Sequence, residues 1–109
     1  MKKITLLSLV LLCSAVLVHA ADQTSTMHGW ICDQRCVVQN GDQATCNTAC
    51  NERSGVAVFI NDQGRLSSIT DQNMCKSHMN KHVKVMGTMD MQTRSLTPEE
   101  IQNDETSGG

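Results

Sequence analysis

Sulfur and imidazole are the side chains in this sequence that offer distinctive chemistry. Cys32, Cys36, Cys46 and Cys50 form two CxxxC pairs within CDQRCVVQNGDQATCNTAC, and Cys75, His78 and His82 spell CxxHxxxH further on. Such groups serve three chemistries: disulfide bonding, metal coordination and thiol exchange. For a metal, Cys75 and His78 share a helical face and His82 follows. The ion would be zinc if thiolate dominates, or copper if Met74, Met79 and Met86 add thioether sulfur. That set lacks a fourth ligand. The plainer reading of the same residues is an odd thiol beside two solvated histidines, with methionines filling an aromatic-poor core.

Thiol-disulfide oxidoreductases present CxxC at a helix N-terminus, whereas both pairs here are CxxxC and no thioredoxin-like strand-helix-strand pattern surrounds them. Other chemistry is scarcer. GxSxG, HExxH, Walker and dinucleotide patterns do not occur. Asp62, Asp71, Glu99 and Glu100 sit where turns and helix caps need them, and Asp33 reads as a turn residue within the cysteine segment. No catalytic residue is expected, and the chain reads as a non-enzyme.

The compartment weighs on the cysteines. Met1, Lys2 and Lys3 precede an apolar run from Ile4 to Val18, which is short for a membrane span, and Val18-His19-Ala20 offers small residues for cleavage. Residues 1–20 read as a secretory signal peptide that carries Cys13 away, since Leu12 stands where a lipobox needs a small residue. The expected location is periplasmic or secreted, without stable membrane insertion after cleavage. Disulfides are the default there. Of 109 residues, the 20 of the leader leave 89, a domain size whose core often needs covalent staples. Trp30 and Phe59 are the only aromatics. Loss of Lys2 and Lys3 takes the formal net charge from −2 to −4. Nucleic acid is therefore an unexpected partner, because it calls for cations and stacking aromatics.

Several elements must position the cysteines. Residues 21–26 are polar and small, a flexible start. Met27 to Ile31 (MHGWI) predicts a first strand anchored by Trp30, and residues 32–42 carry turn chemistry. Asp42 can cap a helix over Gln43 to Arg53, ended by Gly55. Val56 to Ile60 (VAVFI) is the best strand in the chain, Asn61 to Gly64 a hairpin loop, and Arg65 to Thr70 the returning strand. Asp71 can cap a second short helix, Gln72 to Met79, closed by Asn80. In His82 to Met91, Val83, Val85, Met89 and Met91 fall on one face and Lys84, Met86, Thr88 and Asp90 on the other, and Gly87 predicts a bulge or bend. Arg94 to Leu96 reads as a last strand, and Thr97-Pro98-Glu99-Glu100 as a terminal helical turn. One domain over 27–101 and a disordered tail over 102–109 follow.

The pieces GWICDQRC, CNTAC, VAVFI and HVKVMGT resemble a family of small exported bacterial proteins of uncharacterised function. That family carries a glycine-aromatic strand with an aspartate and a cysteine after it, a CxxxC helix and a strand like VTVTGT. The likeness spans residues 28–96. It implies an OB-like small barrel; with the element order and the expected disulfides, the fold expected is α+β, a small, mostly antiparallel OB-like barrel with two short helices, disulfide-stapled. Cys36, Cys46 and Cys50 fall on family cysteine positions, Cys32 stands where serine is commoner, and Cys75 is an addition.

Spacing leaves the pairing among five cysteines open. On one helix Cys46 and Cys50 would stand about 6 Å apart, beyond the roughly 4 Å that a bridge wants. A hairpin-like return would set outer against outer and inner against inner, Cys32 with Cys50 and Cys36 with Cys46. Cys75 is then the odd thiol, able to form a covalent dimer. The leading reading is a binding or envelope-associated module for an unknown protein or small ligand, without cofactor. A periplasmic zinc or copper protein is the alternative, and a thiol-disulfide oxidoreductase the second.

Overall fold

The computed structural model describes residues 24–104. The signal peptide assigned to residues 1–20 and the tail beyond residue 104 lie outside them. Five strands close into a barrel: β1 (Ser25–Asp33), β4 (Ala57–Asn61), β5 (Leu66–Ile69), β6 (Lys81–Asp90) and β7 (Ser95–Asn103). Around the barrel they run β1-β4-β5-β7-β6 and back to β1. Only the β5–β7 contact is parallel. Between β1 and β4 the chain inserts a 3-10 turn (Gln34–Cys36), a separate hairpin of β2 (Val37–Asn40) and β3 (Gln43–Cys46), and an irregular segment over 47–56. A 3-10 segment (Asn73–His78) joins β5 to β6.

Alternation along the strands sorts the apolar residues into two bodies. Inside the barrel lie Ile31, Ala57, Phe59, Ile69, Val83, Val85, Leu96 and Cys75, with Met27, Met79, Met89 and Ile101 packed against them. On the outer face of β1 and β4, Cys32, Cys36, Ala44, Val58 and Ile60 form a second cluster. The unbroken apolar run in β4 follows from this division. Ala57 and Phe59 point inward, while Val58 and Ile60 point out under the hairpin. Trp30, expected to anchor the first strand, faces outward and is half-buried. Its neighbour Ile31, with no exposed surface, is the anchor.

Gly87 marks the bulge its position predicts. The β6–β7 register shifts between Met86 and Gly87, so that Met86 faces Glu100 and Gly87 faces Pro98, leaving Glu99 unopposed. A Cβ at Gly87 would collide with the Thr97 carbonyl oxygen. The bulge also explains a correction. Residues 97–100 are not a helical turn but the middle of a nine-residue strand that runs on to Asn103, past the boundary expected at 101. Proline fits there because the bulge interrupts the ladder where its missing N–H would be needed.

The two short helices expected are also corrected. Among the described residues no α-helix occurs. Gln43 to Cys46 pairs with β2 instead, because Gly41, at φ +64°, opens a two-residue turn that returns the chain at once. Residues 72–79 tighten to 3-10 geometry. Asp71 still accepts the Met74 N–H at 3.3 Å, and Asn80 still closes the segment in the left-handed region at φ 62°. Gln72 holds the segment down. Its amide oxygen accepts the Ala57 N–H at 2.7 Å, and its amide nitrogen donates to the carbonyls of Ala57 and Ile69, each at 3.0 Å. Met91 lies past the end of β6 and is 64% exposed, so it does not continue the inward face.

Candidate functional site

The cysteine segment begins where β1 delivers Asp33 to the barrel rim. Its carboxylate is buried and surrounded by donors. Oδ1 accepts the Arg35 N–H at 2.9 Å and the Ser54 hydroxyl at 2.9 Å, while Oδ2 accepts the Ser54 N–H at 2.9 Å and the Gly55 N–H at 3.4 Å. Burial pushes this carboxyl up, but the hydrogen bonds from Arg35, Ser54 and Gly55 outweigh it. The net effect holds Asp33 below its ordinary value of 3.8. Asp33 thus ties the start of the insertion to its end, and the turn role expected from sequence is only part of its work.

All four cysteines of the segment are paired, as expected, but with different partners. Cys32 joins Cys46 and Cys36 joins Cys50, with Cα separations of 5.8 and 5.7 Å. The nested pairing of Cys32 with Cys50 and Cys36 with Cys46 is corrected, and the hairpin register is the reason. Val37 lies opposite Cys46, so the position opposite Cys36 is Asn47, whose N–H donates to the Cys36 carbonyl at 2.9 Å. Cys46 falls over the outer face of β1, where Cys32 lies. The chain then turns at Asn47, which accepts the Cys50 N–H at 3.1 Å, and Cys50 returns to Cys36.

Cys75, His78 and His82 are not brought together. The Cys75 thiol is in the barrel core, its Sγ 3.7 Å from the Asp71 carbonyl oxygen. Burial, with the Asp71 charge, pushes it up from 9.0 to about 11, so it is a protonated thiol at neutral pH and a poor metal ligand or nucleophile. A covalent dimer through Cys75 would require this thiol, which has no exposed surface, to leave the core. His78 Nδ1 pairs with Asn103 Oδ1 at 2.7 Å. His82 lies between two carboxylates, Nε2 at 2.8 Å from Asp62 and Nδ1 at 3.6 Å from Asp104, with its ring edge-on to Trp30 at 5.3 Å. Met79 packs on the barrel core, whereas Met86 is 38% exposed on β6. Among the described residues no three His, Cys, Asp or Glu side chains are grouped to hold a metal. The Cys75, His78 and His82 ligand set is corrected on this geometry.

Two features emerge that the sequence did not single out. One is a chain of alternating carboxylates and imidazoles, Asp62–His82–Asp104–His28, whose last link is 3.1 Å long. It ties β1, β6, the 61–64 turn and the end of β7 on the outside of the barrel. Only the strand register reveals it, by placing Trp30 opposite His82 and His28 two pairs further on.

The other feature is a cleft of about 360 Å³ between the disulfide-bonded segment and the 3-10 segment. Cys50 to Arg53 form one wall, Lys76, Ser77 and Lys81 the other, and Asp33 and Met79 the floor. A recess of about 250 Å³ continues it over Ala57 and Gln72. Of the acids at this cleft, Asp33 is saturated by its own donors and Glu52 faces Arg35 at 3.7 Å. Among the described residues, Arg53, Lys76 and Lys81 have no carboxylate in ion-pair range. Three exposed cations thus face one opening in a chain of formal net charge −2. Such an arrangement attracts an anion and orients it by charge-assisted hydrogen bonds. Neither lysine carries a sequence signal, and on the opposite wall the Asp33–Ser54 bonds hold the backbone next to Arg53. Comparison with protein-family models, with curated proteins and with solved structures finds no match to this chain.

Proposed function

We propose that the protein is an exported, non-enzymatic binding module of the cell envelope: an OB-like barrel, stapled by two disulfides, that takes an anionic ligand in the cleft between residues 50–53 and 76–81. The unpaired cations Arg53, Lys76 and Lys81, on an otherwise acidic chain, are the observation that carries this reading. The OB-like description draws on the strand order, in which the last strand inserts between the third and fourth barrel strands. Export draws on the leader-like residues 1–20 and on two disulfides, which persist in oxidising compartments. Four cysteines closed in bridges and a fifth buried as a protonated thiol favour binding over sulfur chemistry.

The test is a heteronuclear NMR titration of the exported chain with inorganic pyrophosphate. Saturable amide shifts should map to residues 50–53 and 76–81. The double variant Lys76→Ala/Lys81→Ala should bind at least about tenfold more weakly, the loss expected for two charge-assisted contacts. Shifts scattered over the surface, or a double variant that binds as the parent does, would overturn the assignment.

A further inference from the structure

We infer that the recess beside Trp30, on the other side of the hairpin from the cation-lined cleft, is a binding site for a neutral saccharide. Trp30 projects from the outer face of β1, half-buried, into a recess of about 240 Å³ between β3 and the turn at residues 61–64. Its indole is held in place. His82 meets it edge-on at 5.3 Å, and His82 is in turn held by Asp62 at 2.8 Å and by Asp104. The turn is equally fixed, since Asn61 Oδ1 accepts the N–H groups of Gln63 and Arg65, both at 2.9 Å, and Ala44 N–H donates to the Gly64 carbonyl at 2.9 Å. The aromatic surface and its rim are therefore preorganised before any ligand arrives.

The rim has the matching chemistry. Trp30, Thr45 and Gln63 line the recess, and their indole N–H, hydroxyl and side-chain amide have no hydrogen-bond partner among the described residues. Together they donate and accept. A pyranose ring has the same two aspects, a face of C–H groups that lies on an aromatic ring and an edge of hydroxyls that both donate and accept. Other ligand classes fit less well. No lysine or arginine lines the recess, so a phosphate-bearing polymer finds no counter-charge, and the Asp62 carboxylate repels anions. A second recess of about 300 Å³, walled by Thr26, Met27 and His28, lies across the same turn and shares Asn61, Asp62 and Gln63 with the first. The two together accommodate adjacent rings of a chain.

Trp30 is the only tryptophan, which makes its fluorescence a direct reporter. The exported chain is titrated with cellobiose and with N,N′-diacetylchitobiose while Trp30 emission and amide shifts are followed. One or both should give a saturable change with half-saturation at about 1–10 mM, as suits a small polar ligand with few contacts. Amide shifts should concentrate at residues 43–46 and 60–64. The double variant Thr45→Ala/Gln63→Ala, which keeps the indole and alters exposed side chains only, should retain the parental melting temperature and bind at least about fivefold more weakly. The inference is overturned if neither disaccharide gives saturation by about 50 mM, if the double variant binds as the parent does, or if the shifts map to the cation-lined cleft. Because the probe is uncharged, this result is independent of the pyrophosphate titration.

Discussion

The barrel interior and the cap over its outer face are held together by different physics. Inside, strand alternation brings seven buried residues, with Cys75 from the 3-10 segment, into one cluster around Phe59, and no covalent link is involved. Outside, the cap has only Ala44, Val58 and Ile60 besides its cysteines as fully buried apolar residues. It is kept in place by two disulfides and by the donors around Asp33. Apolar burial stabilises in proportion to area, and a hairpin of two four-residue strands on one face of a barrel has little area to bury. Cross-links act differently, by restricting the unfolded chain. Where the core is thin the chain is stapled, and where it is thick it is not.

The contrast can be broken or sharpened experimentally. The largest effect should come from the interior: Phe59→Ala removes the bulkiest fully buried side chain and should cost about 3–5 kcal/mol in urea unfolding, with the whole barrel lost together. The cap should yield less and separately. Cys36→Ala/Cys50→Ala opens a loop of 14-residue separation and should cost about 3 kcal/mol. Hydrogen exchange should accelerate over residues 47–56 while barrel amides remain protected. If barrel amides accelerated equally, cap and core would be one cooperative unit and the comparison would fail.

Smaller effects sharpen it by pH. Asp33→Asn keeps the shape of the carboxylate and removes its charge, and should cost about 2–3 kcal/mol at neutral pH. The folded-state value of Asp33 is depressed, so its contribution is complete above 3.8 and is lost as pH falls through the lower folded value. The variant should therefore show a flatter acid limb. Cys75 works in the opposite direction inside the barrel. Its folded value is raised from 9.0 to about 11, so the protein should lose stability as pH rises across that interval. Cys75→Ala should abolish this alkaline slope, at a cost of about 1 kcal/mol near neutrality from the lost sulfur packing.

Much of the barrel was legible because its strands obey a period of two. MHGWI lies within β1 and AVFI of the VAVFI run within β4, Asn61 to Gly64 forms the turn, and Gly87 sits at the bulge. The misreadings have identifiable causes. Gln43 to Arg53 has acceptable helix composition, but two disulfides and the Gly41 turn override so weak a preference. In β7 the inward residues are Leu96 and Pro98 before the bulge and Ile101 after it. The unopposed Glu99 breaks the alternation that would have disclosed the strand. For the cleft, Arg53 comes from the irregular 47–56 segment, Lys76 from the 3-10 segment and Lys81 from the start of β6, so their meeting is a property of tertiary contact alone. The recess beside Trp30 is similar, since the sequence presents Trp30 as the apolar anchor of the first strand. Nothing local says that an indole in a strand points outward.

The single parallel contact of the barrel has a mechanical consequence. β5 and β7 meet over two residue pairs, Ser68 with Ser95 and Ile69 with Leu96, against eight between β6 and β7 and seven between β1 and β6. The β1–β4 and β4–β5 seams have five and three pairs, so the β5–β7 clasp is the shortest seam of the ring, fastened by the Ser68 N–H to the Arg94 carbonyl and the Thr70 N–H to the Leu96 carbonyl, both at 2.9 Å. Parallel pairing between distant segments must wait for the chain between them to be placed. The clasp should thus be the last seam to shut when the barrel forms and the first to part when it breathes. It lies on β5, whereas the disulfides brace β1, so the staples protect the cap without stiffening the joint where the ring opens.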